Sequence, residues 1–466
     1  MKISRLICLF IIGVGLNCHA QDTLYTLNAE QVLQLVKRFH PVSREAAIDV
    51  EKAKADVTIS RGAFNPIINH YIGNKTLNGT NYYEQIAPSI TLPTWYGIEL
   101  FAGTETLRGQ RLDESATEGT TSYAGVSVPL AKDLVIDKRR AALRQAKLLH
   151  TMAKIDQRAM MNNLLMDAME AYWHWVSTYQ VYVVIKNNVT INEKRIELVK
   201  TSFINGERPA IDTTEALTQL MSFKYLQNNA WLDFQNAGLQ LSAYLWKADY
   251  TPYQLPETVI PQSGWENETN INNFNLVLAD LLSISAKNNP NLLVYNYKLN
   301  QLNIEKQLKF QELLPKLDLQ YNRIGKDNAL ASSGALLNDN YQYGVKFEMP
   351  LFLSQGRGAY RNAKLKIEET KLEQARKQVS VDLKIKSYYN EYITLKNQIV
   401  LQSANYNNYT TLLKAEESRF ANGESSLFLI NSRENKALEA LEKLVELKTK
   451  YFKTLYALQW SAGLLE

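Results

Sequence analysis

Hydrophobic and polar residues alternate along residues 341–349, which read YQYGVKFEM. Aromatic or aliphatic side chains occupy every second position, from Tyr341 to Met349, and the intervening positions include Lys346 and Glu348. A period of two is that of a β-strand with one apolar face, and this length suits a tilted strand that crosses a membrane. We therefore predict an apolar face towards lipid and a polar face towards a lumen. The edge hairpin of a soluble sheet would show the same alternation.

The same alternation precedes this strand at 316–324, which reads KLDLQYNRI. The segment between the two strands, 325–340, is rich in Gly, Asn and Ser, which favour an exposed loop. In the first half of the chain, the predicted strands QIAPSITL (85–92) and GIELFAGTETL (97–107) flank the turn sequence PTWYG. The sequence SYAGVSVPL (122–130) resembles a strand that returns.

Long segments without Pro or Gly predict long helices. Residues 132–205 contain neither residue, and residues 357–422 contain only Gly358 near their start. At 1.5 Å per residue these segments would be helices of about 110 and about 100 Å. Apolar residues such as Ala171 and Trp175 recur every three or four positions and form a stripe. Helices of this length cannot be buried in a globule, so we predict that they pair as coiled coils.

Short sequences recur in the same order in both halves of the chain, which indicates a tandem duplication. The matching positions are Gly206 and Gly423, Pro41 and Pro290, Pro66 and Pro315, and Pro129 and Pro350. Their separations are 217 (423 − 206), 249 (290 − 41), 249 (315 − 66) and 221 (350 − 129). The first copy therefore contains 28 additional residues (249 − 221) between its second and third proline.

The repeat gives the expected domain organisation. A first copy at 21–246 and a second copy at 273–466 are joined by a linker at 247–272. The expected elements are an initial helix (28–61 in the first copy), strand regions at 65–130 and 315–350, long helices at 132–205 and 357–422, and return helices at 207–245 and 425–463. The linker contains three prolines, so we interpret it as an equatorial segment that wraps the middle of a helical rod.

Residues 1–20 are expected to be a secretory signal peptide. Two basic residues precede an apolar run, and small residues precede the expected cleavage after Ala20. A lipid anchor on Cys18 is an open alternative. Cleavage removes both cysteines, Cys8 and Cys18, so neither a disulfide framework nor a Cys-bound metal is expected in the mature chain.

The composition argues against a nucleic-acid partner and against membrane-spanning helices. Without the signal, 50 basic residues face 47 acidic ones, a net charge of +3 (50 − 47), which gives no basic face for nucleic acid. No mature segment is apolar over a length of about 18 residues, so no membrane-spanning helix is expected. The chain nevertheless contains 26 Tyr, 14 Phe and 7 Trp. For a secreted chain of this kind, the remaining way to span a membrane is a closed β-barrel.

No catalytic, cofactor or metal site is expected. The histidines of the mature chain have no metal-ligand spacing among them, and no phosphate-binding glycine loop, nucleophile elbow or supported acid pair occurs. The aromatic run at 172–184, YWHWVSTYQVYVV, has helical spacing and is interpreted as packing between helices. Catalysis is therefore not indicated.

The ordered set of motifs resembles the outer-membrane efflux proteins of the TolC type. Each copy has a helix, an Asn-Pro or His-Pro step, strands that end in Val-Pro-Leu or Met-Pro-Leu, a long helix and a Phe-x-Asn-Gly tip. The resemblance implies an α+β membrane protein with two tandem repeats per chain. It would be a homotrimer whose copies each give four strands to a twelve-stranded transmembrane β-barrel in outer-membrane lipid, continued by a coiled-coil α-helical barrel in the periplasm. Trimerisation would remove the exposed strand edges.

The resemblance also implies a function and partners. The chain would be the passive exit duct of a tripartite efflux or type I secretion system. It would receive its cargo from an inner-membrane pump through a periplasmic membrane-fusion adaptor that docks on the helix tips. Whether the cargo is a drug, a metal ion or a polypeptide stays open.

The family's pore constriction lies at the helix tips, where Gly206 and Gly423 are expected to end the long helices in the left-handed conformation. In the family an aspartate, here Asp212, pairs with an arginine and a tyrosine of the second tip. This chain has Ser425 and Phe420 at those two positions, so that ion pair does not carry over. We hypothesise a different tip network of Glu207, Arg208 and Glu424. The expected tip and constriction residues are Asn205, Gly206, Glu207, Arg208, Asp212, Phe420, Asn422, Gly423 and Glu424.

Two other classes of protein have long helices. A secreted or surface structural or adhesion protein without a pore would have no use for strands with an aromatic outer face. A membrane-fusion adaptor would also have long periplasmic hairpins, but it would not account for two copies that each carry a strand pair.

Overall fold

The computed structural model describes residues 25–112, 116–267, 276–326 and 340–465. The expected signal peptide and most of the predicted loop at 325–340 lie outside these ranges. The helices are α1 (Ala29–Phe39), α2 (Pro41–Gly62), α3 (Lys138–Ile204), α4 (Ala210–Ser242), α5 (Leu278–Asn288), α6 (Pro290–Gln311), α7 (Ser354–Ala421) and α8 (Leu427–Ala462). The strands are β1 (Tyr25–Leu27), β2 (Ile67–Leu77), β3 (Thr80–Pro93), β4 (Glu99–Arg108), β5 (Gly119–Pro129), β6 (Val259–Pro261), β7 (Lys316–Lys326) and β8 (Tyr341–Glu348).

The chain forms two compact units. One, which we call the tip unit, takes its described residues from Met1–Leu35, Met169–Asn273 and Ile399–Thr449. The other, which we call the sheet unit, takes them from Val36–Ala168, Phe274–Gln398 and Lys450–Glu466. No described helix combines the length and the apolar composition that a membrane crossing requires.

His40 and Asn289 separate two helices at the same point of each copy. Each side chain accepts a hydrogen bond from the backbone N–H two residues later, at 3.2 and 3.0 Å respectively. A proline follows each of them at the first helical position, where a backbone N–H is not needed. The prediction of one helix over 28–61 is therefore wrong, because Pro41 lacks the N–H that would continue α1 into α2.

The two longest helices are α3, with 67 residues, and α7, with 68 residues. Each is about 100 Å long at 1.5 Å per residue. Helix α3 begins at Lys138 and not at the predicted Lys132, because Asp133 has a φ of 68°, which a right-handed helix cannot contain. Asp137 then caps α3 by accepting a hydrogen bond from the backbone N–H of Arg140 at 2.7 Å.

Six antiparallel strands form one sheet in the order β2-β3-β4-β5-β7-β8. The strand pair predicted at 316–324 and 341–349 is confirmed as β7 and β8. Strand β5 of the first copy pairs with β7 of the second, from Pro129–Asp318 to Thr121–Lys326, so the sheet joins the copies. The resemblance implies four strands per chain. Among the described residues the sheet has six, because the first copy provides four strands where the second provides two.

Polar and aromatic contacts hold the helices of the sheet unit together. Asn162 of α3 donates to the carbonyl of Trp460 at 2.9 Å and accepts from the N–H of Leu465 at 3.0 Å. The rings of Tyr392 and Tyr451 stack with their centroids 5.5 Å apart, which joins α7 to α8. Burial, with Tyr392 beside it, raises the pKa of the Tyr451 hydroxyl above its usual value.

In the tip unit, the aromatic run at 172–184 packs against α4, which confirms its interpretation as helix packing. The ring of Phe234 lies 6.0 Å from that of Trp175 and 5.2 Å from that of Tyr179, measured between centroids. Part of the predicted linker also has regular structure. Its strand β6 pairs in parallel with β1, and Trp265 meets Trp173 edge to face at 5.6 Å.

Candidate functional site: the tips of the long helices

Helices α3 and α7 end in the same backbone motif. Gly206 and Gly423 have φ values of 73° and 78°, which confirms the predicted left-handed conformation. At the first tip, the N–H of Gly206 donates to the carbonyl of Phe203 and that of Glu207 to the carbonyl of Ser202, at 3.0 and 2.9 Å. The second tip repeats both bonds at the equivalent residues, with the same two distances. This is the Schellman motif, which satisfies carbonyls that a helix end leaves without partners.

We expect Gly423→Ala to destabilise the second tip by about 1–2 kcal/mol, which is the cost of a left-handed conformation for a residue with a Cβ. An added Cβ would meet no atom within 4 Å, so the conformation alone carries this cost. Hydrogen–deuterium exchange of the amides of residues 418–426 measures the effect as faster exchange. Gly358→Ala is the matched control, because that Cβ also meets no atom but the glycine lies inside α7. Equal exchange in both variants would contradict the assignment.

Arg208 joins the first tip to the second within the tip unit. Its guanidinium lies over the ring of Phe420, 3.5 Å from the centroid, and donates to the carbonyl of Phe420 at 2.8 Å. It also lies 3.5 Å from a carboxylate oxygen of Asp212, four residues later on α4. The side chains of Arg208 and Asp212 are each only 18% exposed. Partial burial strengthens these charged contacts relative to a surface ion pair.

The structure brings together some of the predicted site residues and not others. Arg208, Asp212 and Phe420 are in contact. Glu207 and Glu424 are exposed, and within the described ranges neither carboxylate lies within 4.0 Å of a basic group. The hypothesised network thus contains Arg208 but takes its anion from Asp212. The remaining tip residues, Asn205 and Asn422 with the two glycines, are exposed at the turns.

A buried ion pair lies behind the tips, and the sequence analysis missed it. Arg195 of α3 binds both carboxylate oxygens of Glu434 of α8, at 2.7 and 3.0 Å. Asn192 donates to the same carboxylate at 3.1 Å, and Glu417 of α7 lies 3.4 Å from the guanidinium. Glu434 is 2% exposed. The pair therefore ties three helices together in a setting where each charge needs its partner.

An apolar cluster includes Ile196, next to Arg195, and Leu438, one turn after Glu434, and it brings α4 into the same core. Its buried members are Val189, Ile196, Val199, Ala216, Leu220, Phe223, Leu427 and Leu438. Phe420, the residue under the Arg208 guanidinium, packs against the cluster. A cavity of ≈ 760 Å³ adjoins it, with Arg195, Arg208 and Glu417 in its wall. The tips are thus connected to an ordered core that contains both charged and apolar contacts.

Comparisons with known proteins define the class of this fold. The model of the outer membrane efflux protein family matches residues 281–464. The outer membrane channel CmeC of Campylobacter jejuni is 16% identical, with a TM-score of 0.61 over 93% of this chain and 85% of that chain. A membrane protein of Pseudomonas aeruginosa is 13% identical, with a TM-score of 0.66 over 93% and 92%. No curated protein sequence matches the chain.

The open state of the outer membrane channel MtrE of Neisseria gonorrhoeae has a TM-score of 0.63 at 13% identity, over 93% of this chain and 88% of that chain. The fold is therefore that of the outer-membrane channels, a class of passive channels and not of enzymes. The second copy of the chain is similar to the outer membrane efflux protein family, whose model matches it. The fold class expected from the sequence is confirmed. So are the efflux-channel function and the location in the outer membrane with a helical part in the periplasm.

Proposed function

We propose that the chain forms a homotrimer that serves as the exit duct of a tripartite system, in which an adaptor and an inner-membrane pump deliver the cargo. The main observation that supports a trimer is that the sheet has two open edges, β2 and β8. Every residue of β8 is exposed, and in β2 every residue but Gly73 is exposed. Such edges leave backbone N–H and C=O groups unpaired, and they cannot persist in lipid. Copies that pair edge to edge satisfy them.

We further propose that the tips form the gate. Arg208 fastens the second tip to the first through Phe420 and through Asp212 on α4. In this packing the two helical hairpins of a copy are held together at their ends. Opening requires a second packing in which Arg208 leaves the ring, a shift between two discrete arrangements of the helices. Energy for export comes from the pump, and the lumen charge and the width of the constriction select the cargo.

The trimeric channel is tested by measuring the purified protein in detergent and in planar bilayers. We expect the mass of three chains and discrete conductance steps after insertion. The rival class, a helical structural or adhesion protein without a pore, predicts no conductance at any protein concentration. A monomer that gives no steps would contradict the proposal.

A further inference from the structure

The additional hairpin of the first copy is continuous with the rest of the sheet. Strands β2 and β3 pair over Ile67–Thr91 to Leu77–Thr80, and β3 pairs with β4 from Pro93–Glu99 to Glu84–Arg108. The β2–β3 turn consists of Asn78 and Gly79, whose φ values of 52° and 77° are those of a type I′ hairpin turn. The hairpin is therefore not a flap on the sheet but two more strands of it.

One face of the sheet has an apolar row that continues into the extra strands. Paired residues on one face form an apolar row, namely Leu92, Leu100, Val126, Tyr321 and Tyr343. On the same face Ile68 of β2 pairs with Ile90 of β3. The opposite face has a polar row of Glu99, Ser127 and Gln320. Because the apolar face reaches from β2 to β8, all six strands are suited to the same lipid environment.

Exposed apolar side chains mark one end of the same strands. Trp95 and Tyr96 lie in the turn after β3, and Leu351 and Phe352 follow β8. Tyr96 is 81% exposed and Phe352 85%. Four antiparallel pairings separate β3 from β8 in the sheet. Because this number is even, the two strands run in the same direction. The turn after β3 thus places exposed aromatic residues at the same end of the sheet as Leu351 and Phe352, which follow β8. Such girdles lie at the membrane–water interface.

The two edges fit each other. An even number of antiparallel strands makes β2 and β8 run in opposite directions, so β8 of one copy can pair antiparallel with β2 of the next. If β8 paired with β4 of the next copy instead, β3 would have to separate from β4. These two strands are paired over most of their length. The occupant that suits both edges is a second copy of this chain.

We propose that three copies form a closed wall of eighteen strands, in which β8 of each copy pairs with β2 of the next. This rests on the proposed trimer and replaces the twelve strands that four per copy would give. Strands about 4.8 Å apart and tilted by about 40° make an eighteen-stranded wall about 36 Å across, against about 24 Å for twelve strands. The wall is then wider than twelve strands allow, and the constriction of the duct lies at the tips.

Disulfide cross-linking distinguishes pairing of β8 with β2 from pairing of β8 with β4. The cysteine pairs are introduced into a chain whose Cys8 and Cys18 are replaced by serine. Val345→Cys on β8 is combined with a cysteine on the same face of β2, at Ile68, His70 or Ile72. A matched series combines Val345→Cys with a cysteine in place of Leu100, Ala102 or Thr104, on the same face of β4. Neighbouring strands bring paired Cβ atoms within the range a disulfide needs, about 3.5–4.5 Å.

We expect at least one β2 combination to give covalent trimers that reducing agent returns to monomers, and no β4 combination to do so. Single-cysteine chains and the native mass in detergent are the controls. Trimers that cross-link through β4, or trimers that cross-link through neither strand, would overturn the eighteen-stranded wall and leave the exit-duct proposal standing. A chain that is monomeric in detergent would overturn both.

Discussion

Replacing Glu434 with alanine is expected to destabilise the tip unit by about 3–5 kcal/mol, the usual cost of removing one partner of a buried ion pair. The substitution leaves the guanidinium of Arg195 buried, with Glu417 at 3.4 Å as its nearest remaining carboxylate. It also removes one of the two acceptors of the Asn192 amide, which keeps the carbonyl of Asn188 at 3.0 Å; Asn192 is 1% exposed. A charge left without its counterion in a core costs far more than the contact it made.

Hydrogen–deuterium exchange measures this effect in the whole channel, because global unfolding would mix it with the sheet unit. Protection should fall in residues 189–199 and 427–438, which supply most of the apolar cluster around the pair. The matched control is Glu439→Ala on the same helix, where the carboxylate forms an exposed pair with Lys436 at 2.8 Å. Exposed pairs contribute about 1 kcal/mol or less. Equal losses of protection in both variants would show that the buried pair contributes no more to stability than the exposed pair.

A combined Arg195→Met and Glu434→Leu variant separates the cost of a lone charge from the contribution of the pair. Apolar residues of similar volume often replace a buried ion pair without loss of stability. We therefore expect the double variant to recover much of the protection that Glu434→Ala loses. A double variant as unprotected as Glu434→Ala would contradict this explanation, since no lone charge remains in it.

The periodic elements were predictable from the sequence because their signals are local. Alternation over 341–349 and the absence of Pro and Gly over 132–205 each fix one type of structure. The tip glycines were predictable for the same reason, since a left-handed helix end depends on a few adjacent residues. The break before Pro41 was equally visible in the sequence, yet the helical length of 28–61 led to the wrong prediction there.

The contacts of the tip residues were not predictable, because they join distant parts of the chain. Arg208 meets Phe420 and Arg195 meets Glu434 across separations of 212 and 239 residues. Each pair forms only when the helices of the two copies lie side by side, and no spacing in the sequence encodes that. The sequence predicted Arg208 as a constriction residue, and the structure shows which residues it contacts.

Replacing Arg208 with alanine is expected to raise the mean conductance or the open probability of the channel at least tenfold. The variant loses a charged hydrogen bond to the carbonyl of Phe420 and a guanidinium–ring contact, which together contribute about 2–4 kcal/mol per copy. A change of about 1.4 kcal/mol already shifts an equilibrium tenfold. If these contacts hold the tips in the closed packing, their loss favours the open one. Single-channel recording in planar bilayers measures the change.

The comparison between basic residues makes this test specific to the contacts of Arg208. Lys200→Ala removes an exposed positive charge near the end of α3, where Lys200 forms no ion pair with the residues that the structure describes, and should leave the conductance unchanged. Arg208→Lys keeps the charge near Asp212 but loses the flat guanidinium over Phe420, so we expect an intermediate increase. An Arg208→Ala channel that conducts like Lys200→Ala would refute the gate. A lower conductance would mean that Arg208 supports the open packing instead.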